Sequence, residues 1–208
     1  MATVTGYSSL KAAIKEWTRR DGGTTLDSQI DMFIDSAEAD FNLTVRHPNM
    51  EETDTLTTDA NGEASLPDDF LEMRSVRRLG SPNIELEPIS RSASNNLSPS
   101  DTASTPYYYS ISESTIRITP IQDAAEILLT YYATITPLSD SATTNWLLAL
   151  APNAYLFQSL HYASLFTREF DAASGFEARA ANILRDVGIV GDLAAYRNAG
   201  ITLDFPTA

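Results

Sequence analysis

Apolar residues recur along this chain in two rhythms, and the rhythm changes twice. Leu10, Ile14 and Trp17 lie at i, i+4 and i+7 within residues 7 to 20. That spacing predicts a helix, with Ser8 or Ser9 as N-cap and Asp21-Gly22-Gly23 as its stop. Over residues 26 to 46, Ile30, Phe33, Ile34, Ala37, Phe41 and Val45 form one stripe, opposed by Asp31, Asp35, Glu38 and Asn42. A second helix is predicted there, ended by Pro48.

From residue 51 the period shortens to two. "TDTLTT", "DANG" and "EASLP" read as a hairpin with Asn61-Gly62 in the tight turn. After Pro67 a brief helical turn is predicted, continuing as a strand through Met73, Val76 and Leu79, and "IELEPI" returns beside it across Ser81-Pro82. Residues 90 to 105, rich in serine and asparagine, read as a loop holding a short helix at 90–97. Three strands follow, "YYYSIS", "TIRITP" and "EILLTYYAT". In the second, Ile116 and Ile118 face one side, Arg117 and Thr119 the other. Tyr107 and Tyr109 share a face of the first and Tyr108 takes the opposite one. Tyr131-Tyr132 of the third strand are their expected cross-strand partners.

The helical period then resumes. "NWLLAL" is a short helix, Pro152 opens one that is apolar nearly all round, and Ala173, Phe176, Ala180, Ile183 and Val187 mark the last. The blocks of like elements predict an α+β fold. The expected form is an antiparallel four-helix bundle with an inserted antiparallel β-subdomain and an extended C-terminal tail. Residues 1–50 and 138–188 supply the bundle helices, 51–137 the β-subdomain and 189–208 the tail. In the tail Ile201, Leu203 and Phe205 alternate onto one face, a pattern that suits either a tail folded back on its own domain or strand-like pairing with a partner.

Charge narrows the chemistry. Twenty-eight acidic residues face fourteen basic ones, of which only Lys11 and Lys15 are lysines, for a net charge of -14. Such a chain repels nucleic acid and lacks the basic footprint of a DNA-binding protein; Arg19-Arg20 and Arg77-Arg78 are its only adjacent basic pairs. The tyrosine run therefore reads as sheet packing, not a base-stacking platform. There is no cysteine, so disulfides and thiolate metal sites are excluded. His47 reads as a helix-end residue and His161 as a packed one, with no HxxxH or HExxH spacing. No GxSxG elbow or phosphate-binding glycine loop occurs, and no cofactor is expected. Carboxylate pairs exist at Glu51-Glu52, at Asp68-Asp69, and at Glu38 with Asp40. Asp68-Asp69 supports one alternative, a cell-wall hydrolase; another is a soluble regulatory binding module. No apolar run reaches the roughly 20 residues that span a bilayer, so a soluble intracellular product without a membrane anchor is expected.

The succession "LKAAIKEWTRRDG", "IDMFIDSAEADFNLTVR", "LPDDFLEMRSVRRL", "PYYYSISESTIRITP", "LLTYYATITPLSD" and "TNWLLALAPNAYLFQSLHYAS" resembles the head-to-tail adaptor (connector) proteins of phages. The likeness spans nearly the whole chain, apart from the serine-rich segment and the glycine-spaced tail. It implies a non-enzymatic virion protein at the portal vertex, assembled in the host cytoplasm. It further implies a homo-oligomeric ring, usually of twelve, docked between the portal protein and a tail nozzle or next connector. Double-stranded DNA would pass through without specific binding. The same resemblance makes Ile201, Leu203 and Phe205 an arm for the portal.

Overall fold

A computed structural model describes residues 4–18, 24–97 and 105–198. They divide into two compact units, one from residues up to 49 and from 135 onward, the other spanning 50–134.

The first unit is helical. It contains α1 (Tyr7–Thr18), α2 (Thr24–Asp27), α3 (Ile30–Thr44), α5 (Trp146–Leu150), α6 (Pro152–Phe166) and α7 (Phe170–Asn198). The start of α1 is set by Ser9, not by a serine N-cap. Ser9 Oγ accepts the Thr5 and Gly6 N–H groups at 2.9 and 3.0 Å, while Tyr7 N–H donates to Thr143 O at 2.7 Å. The proposed Asp21-Gly22-Gly23 stop lies outside the described residues. The helix expected over 26–46 is divided at Ser28-Gln29, where Gln29 N–H turns back to Leu26 O. Its predicted stripe is buried from Ile30 to Val45.

These helices do not form the expected antiparallel four-helix bundle. A bundle helix occupies one corner and keeps a solvent face. Instead α6 is buried or half-buried on all sides from Ala154 to Ser164, and α1, α3 and α7 pack around it. Apolar residues all round a helix demand such a central position. Trp17, Phe157 and Phe176 lock the arrangement, with Trp17 edge-on to both phenylalanines at 5.9 and 6.1 Å. The extended tail also needs correction in part. α7 continues through Gly188 and Gly191 to Asn198, because a glycine inside a long helix costs only about 1 kcal/mol relative to alanine.

The second unit is a seven-stranded sheet in the order β1-β7-β3-β4-β5-β6-β2, nearly closed like a barrel. Its strands are β1 (Glu51–Thr57), β2 (Glu63–Ser65), β3 (Phe70–Arg78), β4 (Ile84–Pro88), β5 (Tyr108–Ser112), β6 (Thr115–Thr119) and β7 (Glu126–Ala133). The core gathers Val76, Leu86, Ile116, Ile118, Ile127 and Leu129 on the inner face. This is not the antiparallel subdomain expected. β4 and β5 run parallel, Glu87 opposite Tyr108, and a parallel pair requires a long crossover. The serine-rich stretch is part of that crossover and holds α4 (Arg91–Asn96), capped by Ser90 Oγ on the Ala93 N–H at 3.1 Å.

Two local pairings also differ from expectation. The Asp59–Gly62 turn forms, with Gly62 at φ +70°. Its flanking strands, however, pair with β7 and β6 and not with each other. Tyr131 and Tyr132 do not face the Tyr107–Tyr109 run, since β5 lies between β4 and β6. Tyr131 packs on Phe70, ring centres 5.7 Å apart.

Candidate assembly surface

The irregular chain that follows β7 is held in the helical unit by side chains of α3. Asn42 Oδ1 accepts the Ile135 N–H at 2.8 Å, and Glu38 Oε1 accepts the Leu138 N–H at 2.9 Å. Buried backbone donors outside regular structure need such acceptors. Glu38 also accepts the Tyr155 hydroxyl at 3.1 Å, and Tyr155 Oη takes a bond from Asn145 Nδ2 at 2.6 Å. Asn145 completes the network by donating to Thr136 O at 2.8 Å and by capping α5, Oδ1 on the Leu148 N–H at 2.9 Å. Sequence periodicity assigned Glu38 to the solvent side of its helix, yet it is 5% exposed. Burial pushes its carboxyl up from the ordinary range, opposed by the two hydrogen bonds. Nearby, Asp40 Oδ2 accepts from Gln158 and Tyr162, both at 2.6 Å. Burial, then that bond to Asp40, pushes the Tyr162 hydroxyl up to about 12. The network is a frame. Its hydrogen bonds hold backbone or a neighbouring side chain.

Beside that frame the helical unit exposes apolar surface. Leu150, Ala151, Pro152 and Asn153 of the α5–α6 corner meet Ile183, Asp186, Val187 and Val190 of α7 around a groove of about 330 Å³. Leu150, Ile189, Val190 and Leu193 are each about half exposed. Completing the burial of four such side chains would contribute about 3–6 kcal/mol, from roughly 1.5–3 kcal/mol per fully buried residue. A second group, Leu165, Phe166 and Phe170, is exposed where α6 turns into α7. Phe170 and Leu193 are separated along α7 by about 35 Å at 1.5 Å per residue. The helical unit therefore carries an apolar patch near each end of its longest helix. The sequence reading missed both: the signals were the apolar Ile189, Val190 and Leu193, which it assigned to an extended tail, and Leu165, Phe166 and Phe170 at the junction of two helices.

The structure separates the residues singled out for chemistry. Ile201, Leu203 and Phe205 lie outside the described residues. Asp68 and Asp69 are exposed, and Asp69 Oδ1 accepts the Tyr131 hydroxyl at 3.1 Å. Burial and that bond push Tyr131 up to about 12. Glu51 pairs with Arg74 at 3.2 Å. His47 is buried, stacked on Trp146 with ring centres 4.8 Å apart, and its Nδ1 accepts the Asn49 N–H at 3.1 Å. His161 Nδ1 is 3.0 Å from Ala173 O. Among the described residues, no group of three or more His, Asp or Glu is placed to hold a metal ion, and no helix is long and apolar enough to cross a membrane.

The family model for the SU10 adaptor protein matches residues 5–202 of the chain. The chain belongs to this phage adaptor family. A search of curated proteins gives no match. The match runs through both units of the adaptor, the central-helix unit and the nearly closed sheet. Proteins of this family are structural components of the virion, which accords with a site built of apolar surface and backbone-holding side chains.

Proposed function

We propose that this adaptor joins the portal protein to the next tail component by forming a homo-oligomeric ring, twelve-fold by its resemblance to connectors, through which the genome is packaged, retained and ejected. Assembly takes place in the host cytoplasm, before the particle is complete. The observation that carries this reading is the pair of apolar patches near opposite ends of α7. Two different patches on one subunit suit head-to-tail contacts, the kind that close into rings. The net charge of -14 supports a conduit that lets DNA slide without adhering. Ile201, Leu203 and Phe205, following directly on α7, serve as the arm that grips the portal.

Ring formation on this reading requires the portal as template. A head-to-tail contact that buries the Leu150–Leu193 patch against the Leu165–Phe170 patch would contribute about 5–10 kcal/mol, which lies within the 4–15 kcal/mol that association costs and leaves little surplus. The test compares wild type, the double variant Val190→Glu/Leu193→Glu, and a chain lacking residues 199–208, each mixed with portal-bearing heads. Wild type should add a ring visible by electron microscopy. The double variant should bind as scattered subunits without ring closure, and the truncated chain should fail to attach. Normal rings from both variants would refute the assignment of these surfaces, and wild type that never binds heads would refute the connector role.

A further inference from the structure

The nearly closed sheet leaves a gap between its end strands, β1 and β2. Among the described residues β1 has a hydrogen-bonded neighbour on one side only, β7, and lies at the end of the strand order. The opposite end, β2, is blunted: it is three residues long, its Glu63 O takes the Asp59 N–H at 2.8 Å, and its Glu63 carboxylate is paired with Arg91. β1 is seven residues long and exposed throughout except at half-buried Leu56. It has neither the proline nor the lysine with which proteins usually protect an edge.

The direction of its backbone groups follows from the ladder. Thr58 donates its N–H to Ala125 O and accepts the Ala124 N–H, both at 3.0 Å, so even-numbered positions point toward β7. In an antiparallel strand the alternate residues point away. The N–H and C=O groups of Thr53, Thr55 and Thr57 therefore face the open edge. One of them is occupied: the Thr55 N–H donates to Asp54 Oδ1 at 2.8 Å. The carboxylate of the preceding residue has turned onto the edge and stands where a partner carbonyl would stand.

We propose that β1 is a strand-addition site for a basic, extended polypeptide segment, with Asp54 as the guard that occupies the edge until that segment arrives. Charge selects the occupant. β1 carries Glu51, Glu52 and Asp54 and no cation, and Glu51 is already paired with Arg74 across the sheet. A second copy of β1 would bring three more carboxylates against these, and like charges opposite each other across strands are destabilising. A lysine- or arginine-bearing strand meets Glu52 and Asp54 favourably. It also supplies the carbonyl that releases Asp54 from the Thr55 N–H, so hydrogen bonds are exchanged and none is lost. Threonine at 53, 55 and 57 adds β-branched side chains suited to cross-strand packing.

The test uses the full chain and an eight-residue peptide alternating threonine and lysine, with a threonine–glutamate peptide of the same length as control. Amide exchange at Thr53 and Thr57 is followed by nuclear magnetic resonance. The lysine peptide should slow exchange at both by at least tenfold at saturation, and the glutamate peptide should not. Thr55→Pro should abolish the protection. Its N–H takes no part in the ladder with β7, and proline is tolerated at such edge positions. Should Thr55→Pro fail to fold, a lysine peptide N-methylated at alternate residues gives the same comparison on the wild-type chain, and it should not protect. Asp54→Ala should speed Thr55 exchange in the free protein and reduce the preference for lysine over glutamate. Equal protection by both peptides, or protection of no β1 amide, overturns the proposal. Protection that grows with protein concentration alone also overturns it, because the occupant would then be a second copy.

Discussion

Gly191 is the point at which the long α7 helix is most sensitive to a single methyl group. A Cβ at this position would stand 2.5 Å from His47 Cδ2, 2.9 Å from His47 Nε2 and 3.0 Å from Pro48 Cδ. The imidazole cannot swing aside, because its other face lies on the Trp146 ring and its Nδ1 is held by the Asn49 N–H. Gly191→Ala should therefore cost about 1–3 kcal/mol in overpacking, against roughly 0.8–1.0 kcal/mol gained in helix propensity. Gly188→Ala is the internal control. It lies in the same helix with nothing within 4 Å of its added Cβ, so only the propensity gain should be seen. Because the propensity gain is common to both, the two variants should differ by about 1–3 kcal/mol, or 5- to 150-fold in an opening equilibrium. Thermal melts should separate them by about 2–12 °C at 2–4 °C per kcal/mol for a chain of this size. If the last turns open locally, hydrogen exchange over 187–198 will report the same difference. A Gly191→Ala protein as stable as Gly188→Ala would refute the contact between His47 and α7.

Three further outcomes are expected. Asn145→Ala removes the α5 cap together with the bonds to Thr136 O and Tyr155 Oη, and urea denaturation should show a loss of about 2–4 kcal/mol. Glu38 has its carboxyl raised by burial, so the folded chain holds that proton to higher pH than the unfolded one. Its contribution is most favourable below the unfolded pKa and is lost as pH rises through the folded value. Stability of wild type relative to Glu38→Gln should therefore improve as pH falls from 7 toward 5, and an unchanged difference would contradict this. Arg168 sits at φ +62° in the turn between α6 and α7, where a side chain costs roughly 1–2 kcal/mol, so Arg168→Gly should raise the melting temperature.

The helices were legible because their burial obeys a local period. Ile30 through Val45 is a stripe in the sequence and a buried face in the structure. The strands β5 and β6 were legible for the same reason, with Ile116 and Ile118 inward and Arg117 outward. What periodicity could not give was which strand lies beside which. Asn61-Gly62 specifies a turn, and the turn forms, but pairing across it competes with longer-range partners. Here β1 pairs with β7, about seventy residues away. Glu38 was misassigned because amphipathic analysis places charges in solvent, and it cannot foresee an irregular segment a hundred residues later that needs an acceptor. The bundle was misjudged at α6, whose apolar surface nearly all round demands a central position that no bundle corner offers. The chain itself supplies the burial from Ala154 to Ser164.

A protein that must assemble in one place has to avoid assembling elsewhere, and the magnitudes here bear on how that is done. The two apolar patches are worth about 5–10 kcal/mol if each is fully covered, which is within the cost of bringing two molecules together. A net charge of -14 per chain adds repulsion between free copies. The open edge of β1 offers backbone groups that could pair promiscuously, but Asp54 covers one of them and the neighbouring carboxylates repel a like strand. Each surface is thus too weak or too guarded to act alone. On the proposed reading they become effective together. A template that holds the subunits side by side removes most of the entropic cost for the apolar patches, and a basic strand removes the guard at β1. The same arithmetic explains why more hydrophobic surface would not improve such an adaptor. Another two or three exposed leucines would add about 3–9 kcal/mol and shift the balance against the association cost toward rings formed without a portal beneath them.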